Sequence, residues 1–225
     1  NRLRMERKTT RPRLVQAMVD IWALPDLRRK ILFTIGILVV FRFMTHVPLP
    51  GVDIAKLQEY FATSPLFGML DLFTGGAMEK FSVATLGVYP YITASIIMQL
   101  LVPVIPRLQA ISQEGELGQQ KINRITHIAT IPLAALQGYA IIALLRSQGV
   151  TQELGPLTMV NILVTMTAST MFLVWLGELI TERGVGNGIS IIIFAGIVTD
   201  VPSIVGRGII AAQGGEPLGL IAYII

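Results

Sequence analysis

The sequence contains no cysteine and only two histidines, His46 and His127, which lie far apart. Disulfide bonds and thiolate metal sites are therefore excluded, and the two histidines do not predict a metal-binding pair. The chain also has no G-x-S-x-G motif and no grouping of Ser, His and Asp at one depth. We therefore expect no enzyme activity, no catalytic residue, no metal and no cofactor.

Charge is also scarce, because Asp, Glu, Lys and Arg make up only 14% of the 225 residues, whereas 52% are hydrophobic. A soluble domain of this composition would lack polar surface. Three segments without any of these four residue types span 81–106, 125–145 and 154–177. Each is near or above the roughly 20 residues that a helix needs to cross a membrane. The sequence therefore predicts a helical integral membrane protein.

Five spans are predicted, at about 31–47, 81–105, 125–145, 157–178 and 185–200, and a sixth apolar run starts at about 218. The sequence begins with Asn1 and this last run stops at Ile225, so we expect a piece of a longer protein. Ionisable residues in mid-span, which are typical of ion-coupled transporters, do not occur in the three charge-free segments. Arg42 is expected to reach the interface from the end of the first span, with a functional contact as the alternative.

The basic residues predict the orientation of the chain. Thirteen of the 18 Lys and Arg residues lie in residues 1–30 or in the two even-numbered loops, which places the N-terminus in the cytoplasm. Within residues 1–30, apolar side chains recur at helical spacing, at Leu14, Met18, Ile21 and Trp22. This pattern predicts an amphipathic helix on the cytoplasmic surface of the membrane, where basic residues meet anionic lipid head groups. A solvated charged tail is the alternative.

Glycine and proline predict where the membrane segments turn or bend. The sequence ERGVGNGIS, residues 182–190, is interpreted as a tight reversal in which glycines supply positive φ. A dinucleotide-binding loop would instead follow a β-strand. Pro90 falls inside the second predicted span, where it predicts a kink. Ser95 and Gln99 share a face of that span and are expected to hydrogen-bond a neighbouring helix, either as packing contacts or as functional ones.

The apolar stretch PLFGMLDLFTGG, residues 65–76, is too short to cross a membrane. Its ends carry polar backbone groups that lipid does not satisfy, so it must be buried in protein or line a cavity. Gly75 and Gly76 are expected to form a hinge, with Asp71, Glu79 and Lys80 at a wet rim. The stretch therefore predicts a re-entrant element or a stopper.

Two longer stretches resemble the SecY family of protein-conducting channel subunits, which is related to the eukaryotic and archaeal translocon α subunits. They are LFTGGAMEKFSVATLGVYPYITASIIMQLL and WLGELITERGVGNGISIIIFAGIV. The resemblance implies an all-α integral membrane protein, the N-terminal half of a ten-span channel whose two halves are inverted repeats. It extends over essentially the whole chain, through five spans and into a sixth.

The resemblance also implies three sets of functional residues. The family's plug, which fills the closed pore, corresponds to about 66–76 and includes Leu66, Phe67, Met69, Leu70, Leu72, Phe73, Gly75 and Gly76. The pore ring corresponds to Val88, Ile92 and Ile193. The near side of the lateral gate corresponds to the second and third spans, with polar contacts from Ser95, Gln99 and Gln137. A collar of branched aliphatic side chains gates by dewetting, although ordinary packing residues have the same helical spacing.

The implied function is passage of unfolded polypeptide across the plasma membrane, or sideways into it. The implied partners are SecE, SecG, membrane lipid, a signal sequence and, on the cytoplasmic side, SecA or a ribosome. Half of an inverted-repeat secondary transporter for a small solute is the alternative, which mid-span charges or a discontinuous helix aimed at a substrate would favour. A structural scaffold is a third reading, and it would give the plug no reason to move.

Overall fold

A computed structural model describes residues 24–63, 71, 74–151 and 155–199 of the chain. Seven helices can be followed within these ranges. They are α1 (Pro25–Met44), α2 (Ile54–Thr63), α3 (Tyr89–Val104), α4 (Pro106–Ser112), α5 (Glu116–Ser147), α6 (Pro156–Arg183) and α7 (Gly188–Thr199). The predicted all-α class is confirmed for this part of the molecule.

Several predicted features lie outside the described residues. They are the surface helix in the N-terminal tail, the sixth span from 218 and most of the predicted plug. The plug residues concerned are Leu66, Phe67, Met69, Leu70, Leu72 and Phe73. The boundary of the tail was predicted too late, because residues 25–30 form the first turns of α1. Pro25 stands in the first turn of that helix, where its missing N–H costs no hydrogen bond.

Among the described residues, α5 and α6 are each long and apolar enough to cross a membrane. The pair α3 and α4 makes a third span if the two helices are counted together. α5 has 32 residues and α6 has 28, and they contain the predicted spans 125–145 and 157–178. α1 has 20 residues and begins before the predicted span 31–47, and α7 is a shorter apolar helix within the predicted span 185–200.

The second predicted span differs from the prediction at both ends. It was expected to be helical from residue 81, but residues 81–88 form turns and α3 begins at Tyr89. Pro90 therefore lies in the first turn of α3, where it helps to start the helix and does not kink it. The bend occurs after Pro103, at the extended residue Ile105, where α4 leaves α3 at 102°.

Two clusters of buried side chains meet at the segment before α3, residues 74–88, which we call the 74–88 loop. One cluster joins this loop to α2, α5 and α6 through side chains that include Leu57, Phe81 and Met166. The other joins it to α1, α6 and α7 through side chains that include Phe41 and Val88. The 74–88 loop therefore lies where the two cores meet.

The glycines of the reversal between α6 and α7 were predicted to supply positive φ, and only one of them does so. Gly186 alone of its three glycines has a positive φ, of 70°, whereas Gly184 has a φ of −101°. Gly188 is required for close packing, because a Cβ atom at this position would lie 1.8 Å from the carbonyl oxygen of Gly177. Asn187 caps the start of α7 by accepting a hydrogen bond from the Ser190 amide at 3.1 Å. Glycine here lets two helices approach each other closely.

Candidate functional site

The three residues predicted for the pore ring line a single cavity. Its volume is about 470 Å³, and Val88, Ile92 and Ile193 come to it from the 74–88 loop, α3 and α7. The remaining lining residues are Thr74, Met78, Thr85, Leu86, Gly87, Tyr89, Gln137, Ala140 and Ile141. None of these described lining residues carries a charge. The cavity wall is therefore mostly apolar, with a few hydroxyl groups and one amide.

Gln137, which was predicted as a gate contact, reaches this cavity from α5. Its Nε2 atom donates a hydrogen bond to Thr93 Oγ1 of α3 at 3.4 Å. Its Oε1 atom is buried and makes no hydrogen bond to the described part of the chain. Gln137 therefore links the two helices of the predicted gate, and its unpaired acceptor belongs to a side chain that lines the same cavity as Val88, Ile92 and Ile193.

The other two predicted gate residues lie in a separate, polar groove of about 350 Å³ between α3, α4 and α5. Ser95 and Gln99 line this groove, and Gln99 Nε2 donates a hydrogen bond to Ser95 Oγ at 3.4 Å. The bond lies within one helix, whereas the sequence predicted a bond to a neighbouring helix. The other polar side chains of the groove are Ser112, Gln119, Asn123 and Thr126.

The glycine pair at the end of the predicted plug is packed tightly. Gly75 and Gly76 are both buried, and their φ angles are 69° and 74°. Arg42, which was expected to reach the membrane interface, instead donates a hydrogen bond from Nη1 to the Gly75 carbonyl at 2.7 Å. The predicted hinge therefore lies in a loop that α1 holds in place.

Asp71 was expected at a wet rim, but it is buried, with only 7% of its surface exposed. Its Oδ1 atom accepts hydrogen bonds from the backbone amides of Met78 at 2.8 Å and Glu79 at 3.0 Å. The Thr74 hydroxyl is a third donor to the same atom, at 3.1 Å. A carboxylate is buried here because it satisfies backbone donors of a tight turn that would otherwise have no partner.

A polar network that the sequence did not predict joins α3, α5 and α6. The Tyr91 hydroxyl donates to Asn123 Oδ1 at 3.2 Å, and Asn123 Nδ2 donates to Glu178 Oε1 at 3.1 Å. His127 Nε2 also lies 3.1 Å from Glu178 Oε1, and its ring makes an edge contact with Tyr91 at 5.5 Å between centroids. The only signal in the sequence was that Glu178 stands in an otherwise apolar segment.

Glu178 is expected to contribute to the packing of these three helices. In the Glu178→Leu variant, Asn123 Nδ2 loses its acceptor, and we expect the free energy of unfolding to fall by roughly 1 kcal/mol, as is typical of interhelical hydrogen bonds in membranes. Glu178→Gln keeps an oxygen that accepts this bond and should lose less. Denaturant unfolding in detergent measures both variants, and equal losses would show that the hydrogen bond is not the cause.

Helices that are long and apolar enough to cross a membrane, together with an uncharged cavity lined by α3, α5, α7 and the 74–88 loop, define a multi-span helical membrane protein. Residues 82–225 match the sequence profile of the SecY family. The SecY subunit of the protein translocase from Streptomyces scabiei is 43% identical over 204 residues, which cover 84% of this chain and 47% of the relative. The chain belongs to the SecY family.

Two further relatives have a similar identity and a similar coverage. The SecY subunit from Streptomyces lividans is 45% identical over 204 residues, which cover 84% of this chain and 47% of the relative. That from Thermus thermophilus is 42% identical over 220 residues, which cover 94% of this chain and 50% of the relative. The chain therefore spans about half the length of the curated relatives it matches.

Two solved structures have a similar fold. One is described as Sec61 in the canine ribosome-channel complex from the endoplasmic reticulum, and it aligns with a TM-score of 0.59 and 19% identity. The other is described as the structure of a protein conducting channel and aligns with the same values. In each case the alignment covers 84% of this chain and 42% of the other chain. At this identity the likeness concerns the fold alone.

Proposed function

We propose that this chain forms half of a membrane channel that conducts unfolded polypeptide across the plasma membrane and releases apolar segments sideways into lipid. The observation that carries the proposal is the convergence of Val88, Ile92 and Ile193 on one cavity. Three separate segments of the chain supply these branched aliphatic side chains. Membership of the SecY family supports the same reading.

The chemistry of the cavity suits a sliding polypeptide. An apolar constriction excludes water and ions when it is empty, because a narrow apolar passage dewets. Aliphatic side chains also offer a moving chain no polar group that would hold it in one position. The ring residues are therefore proposed to close the resting channel and to surround the polypeptide during transport.

A small-solute transporter would need a different site. Such proteins place charged side chains or the ends of broken helices at a binding site in mid-membrane. The described residues that line the cavity include only Thr74, Thr85, Tyr89 and Gln137 as polar side chains. This lining favours the channel over the transporter.

The remaining parts of the proposal follow from the family. Residues 66–76 act as the plug, and α3 and α5 form the near side of the lateral gate, with Ser95, Gln99 and Gln137 as its polar contacts. The N-terminus lies in the cytoplasm, and the second half of the channel is the inverted repeat of this one. SecE and SecG bind the channel in the membrane, and SecA or a ribosome delivers the polypeptide and its signal sequence.

Crosslinking tests the proposed path. Because the chain has no cysteine of its own, a cysteine introduced at Val88 or Ile92 is unique within it. In the full-length protein, we expect either one to crosslink to a secretory chain that is stalled in transit. A cysteine at Val164, which is 62% exposed on α6, is the control and should not crosslink. Crosslinks at Val164 alone, or none at all with the chain trapped, would reject the channel.

A further inference from the structure

The 74–88 loop forms one wall of the cavity. Thr74, Met78 and Val88 of this loop face the same space as Ile92 of α3 and Ile193 of α7. The width of the constriction therefore depends on where this loop lies, because one of the three ring residues belongs to it. Any contact that fixes the loop also fixes Val88 relative to the other two.

Asp71 accepts hydrogen bonds from several residues at the start of the loop. Its Oδ1 atom accepts hydrogen bonds from the amides of Met78 and Glu79 and from the hydroxyl of Thr74, at distances of 2.8 to 3.1 Å. Its backbone carbonyl accepts the Gly76 amide at 3.2 Å and the Thr74 hydroxyl at 2.9 Å. A single buried residue thus closes the first turn of the loop. All its donors are uncharged, so an amide oxygen is able to take the place of the carboxylate oxygen.

Arg42 holds the same turn from the side of α1. Its guanidinium group donates to the carbonyl of Gly75 at 2.7 Å. On another side, Gly75 packs against Gly196 of α7, where a Cβ atom on Gly75 would lie 2.9 Å from the Gly196 Cα. Gly75 is therefore in contact with both α1 and α7, and α7 also carries Ile193. The bond from Arg42 therefore ties the loop to α1, and the contact between Gly75 and Gly196 ties it to α7, which lines the cavity through Ile193.

From this arrangement we infer that Asp71 and Arg42 are positioning residues, which hold the 74–88 loop against the cavity and so keep the resting channel closed. The inference rests on the proposed channel function and assigns a role to two side chains outside the ring itself. Loss of either side chain leaves the ring residues unchanged but frees the loop that carries Val88. Each variant therefore lacks a hydrogen bond that, on this inference, stabilises the closed state, and its resting channel should open more often.

Resting ion conductance tests this role in the reconstituted full-length channel without polypeptide. Asp71→Leu removes the shared acceptor, and Arg42→Met removes the donor while keeping most of the aliphatic stem. Because hydrogen bonds to charged groups typically favour one state by a factor of about ten or more, we expect a roughly tenfold rise in conductance for each variant. Asp71→Asn keeps an acceptor oxygen and should remain close to the wild-type value.

Asp53→Leu is the matched control. Asp53 also accepts backbone amides, from Ala55 at 3.1 Å and Lys56 at 3.4 Å, but it is exposed at the start of α2 and does not line the cavity. Its loss should leave the conductance unchanged. Thermal unfolding of each variant shows whether it folds, and Arg42→Met decides the matter if Asp71→Leu does not accumulate.

The outcomes separate this inference from the proposed function. A folded Arg42→Met or Asp71→Leu variant with wild-type conductance overturns the positioning role, even if a stalled chain still crosslinks at Val88→Cys in the otherwise wild-type channel. An equal rise in Asp53→Leu also overturns it, because the effect is then not specific to the loop. Failure of the crosslink in the wild-type background rejects the channel itself, and with it this role.

Discussion

Alanine in place of Gly188 should separate α7 from α6 and cost about 3 kcal/mol of unfolding free energy or more. The added Cβ atom would lie 1.8 Å from the carbonyl oxygen of Gly177 and 2.7 Å from the Cβ atom of Ile180. Overpacking usually costs about 1 to 3 kcal/mol, and we expect the upper end because the nearest atom belongs to a helix backbone. The Gly188 amide also donates to Thr181 Oγ1 at 2.9 Å, and this bond would break if the helices moved apart.

Gly36→Ala is the control for this prediction. Gly36 lies inside α1, and a Cβ atom there would have no other atom within 4 Å. Alanine at this site should stabilise α1 slightly, by up to about 1 kcal/mol, since alanine is the better helix former. Thermal unfolding in detergent compares the two variants. Similar unfolding temperatures for both would mean that the close contact between α6 and α7 does not matter for stability.

Phe81→Ala should destabilise the protein by about 3 to 5 kcal/mol, the usual cost of truncating a buried phenylalanine. Phe81 is only 1% exposed and belongs to the cluster that joins the 74–88 loop to α2, α5 and α6. Its backbone is also hydrogen-bonded. The amide donates to the Met78 carbonyl at 3.0 Å, and the carbonyl accepts from the Leu49 amide at 2.8 Å. The truncated side chain would leave a hole where the loop meets the rest of the molecule.

The backbone of Phe81 gives this prediction a second part. Its φ is 45°, a left-handed value that is unfavourable for a residue with a side chain. Glycine adopts such values readily, so Phe81→Gly should be no less stable than Phe81→Ala, although glycine is normally the more costly replacement. Phe43→Ala is the control, because Phe43 is 71% exposed and should change stability by less than about 0.5 kcal/mol. Denaturant unfolding measures the stability of all three variants. Equal losses of unfolding free energy for Phe43→Ala and Phe81→Ala would contradict the prediction.

The parts of the fold that the sequence predicted best are those where one physical requirement dominates. α5 and α6 were recognised because a helix in lipid has to be long and apolar, and both are. The start of α3 was missed because the residues before Pro90 are as apolar as a membrane span. They are apolar for another reason, since Phe81 and Val88 are buried in the protein core. Apolar character alone does not separate a buried loop from a helix in lipid.

The candidate site shows the same division. The three residues proposed for the pore ring were chosen through the family resemblance and lie around one cavity, but spacing alone did not distinguish them from packing residues. The network around Glu178 was not predicted, because Asn123 and Glu178 lie 55 residues apart and no local pattern relates them. The burial of Asp71 was missed for a related reason. Two of its three partners are backbone amides, and any sequence supplies those.

The length of α3 has a consequence for the lipid beside it. With 16 residues the helix rises about 24 Å, whereas the hydrocarbon layer of an ordinary bilayer is about 30 Å thick. α4 does not make up the difference, because it turns away at 102°. A span that is short by about 6 Å is accommodated by local thinning of the bilayer, by flanking side chains that reach the interface or by contact with other protein, and each ångström of mismatch costs a fraction of a kcal/mol. An apolar peptide too short for an ordinary bilayer would match the thickness of such a thinned patch.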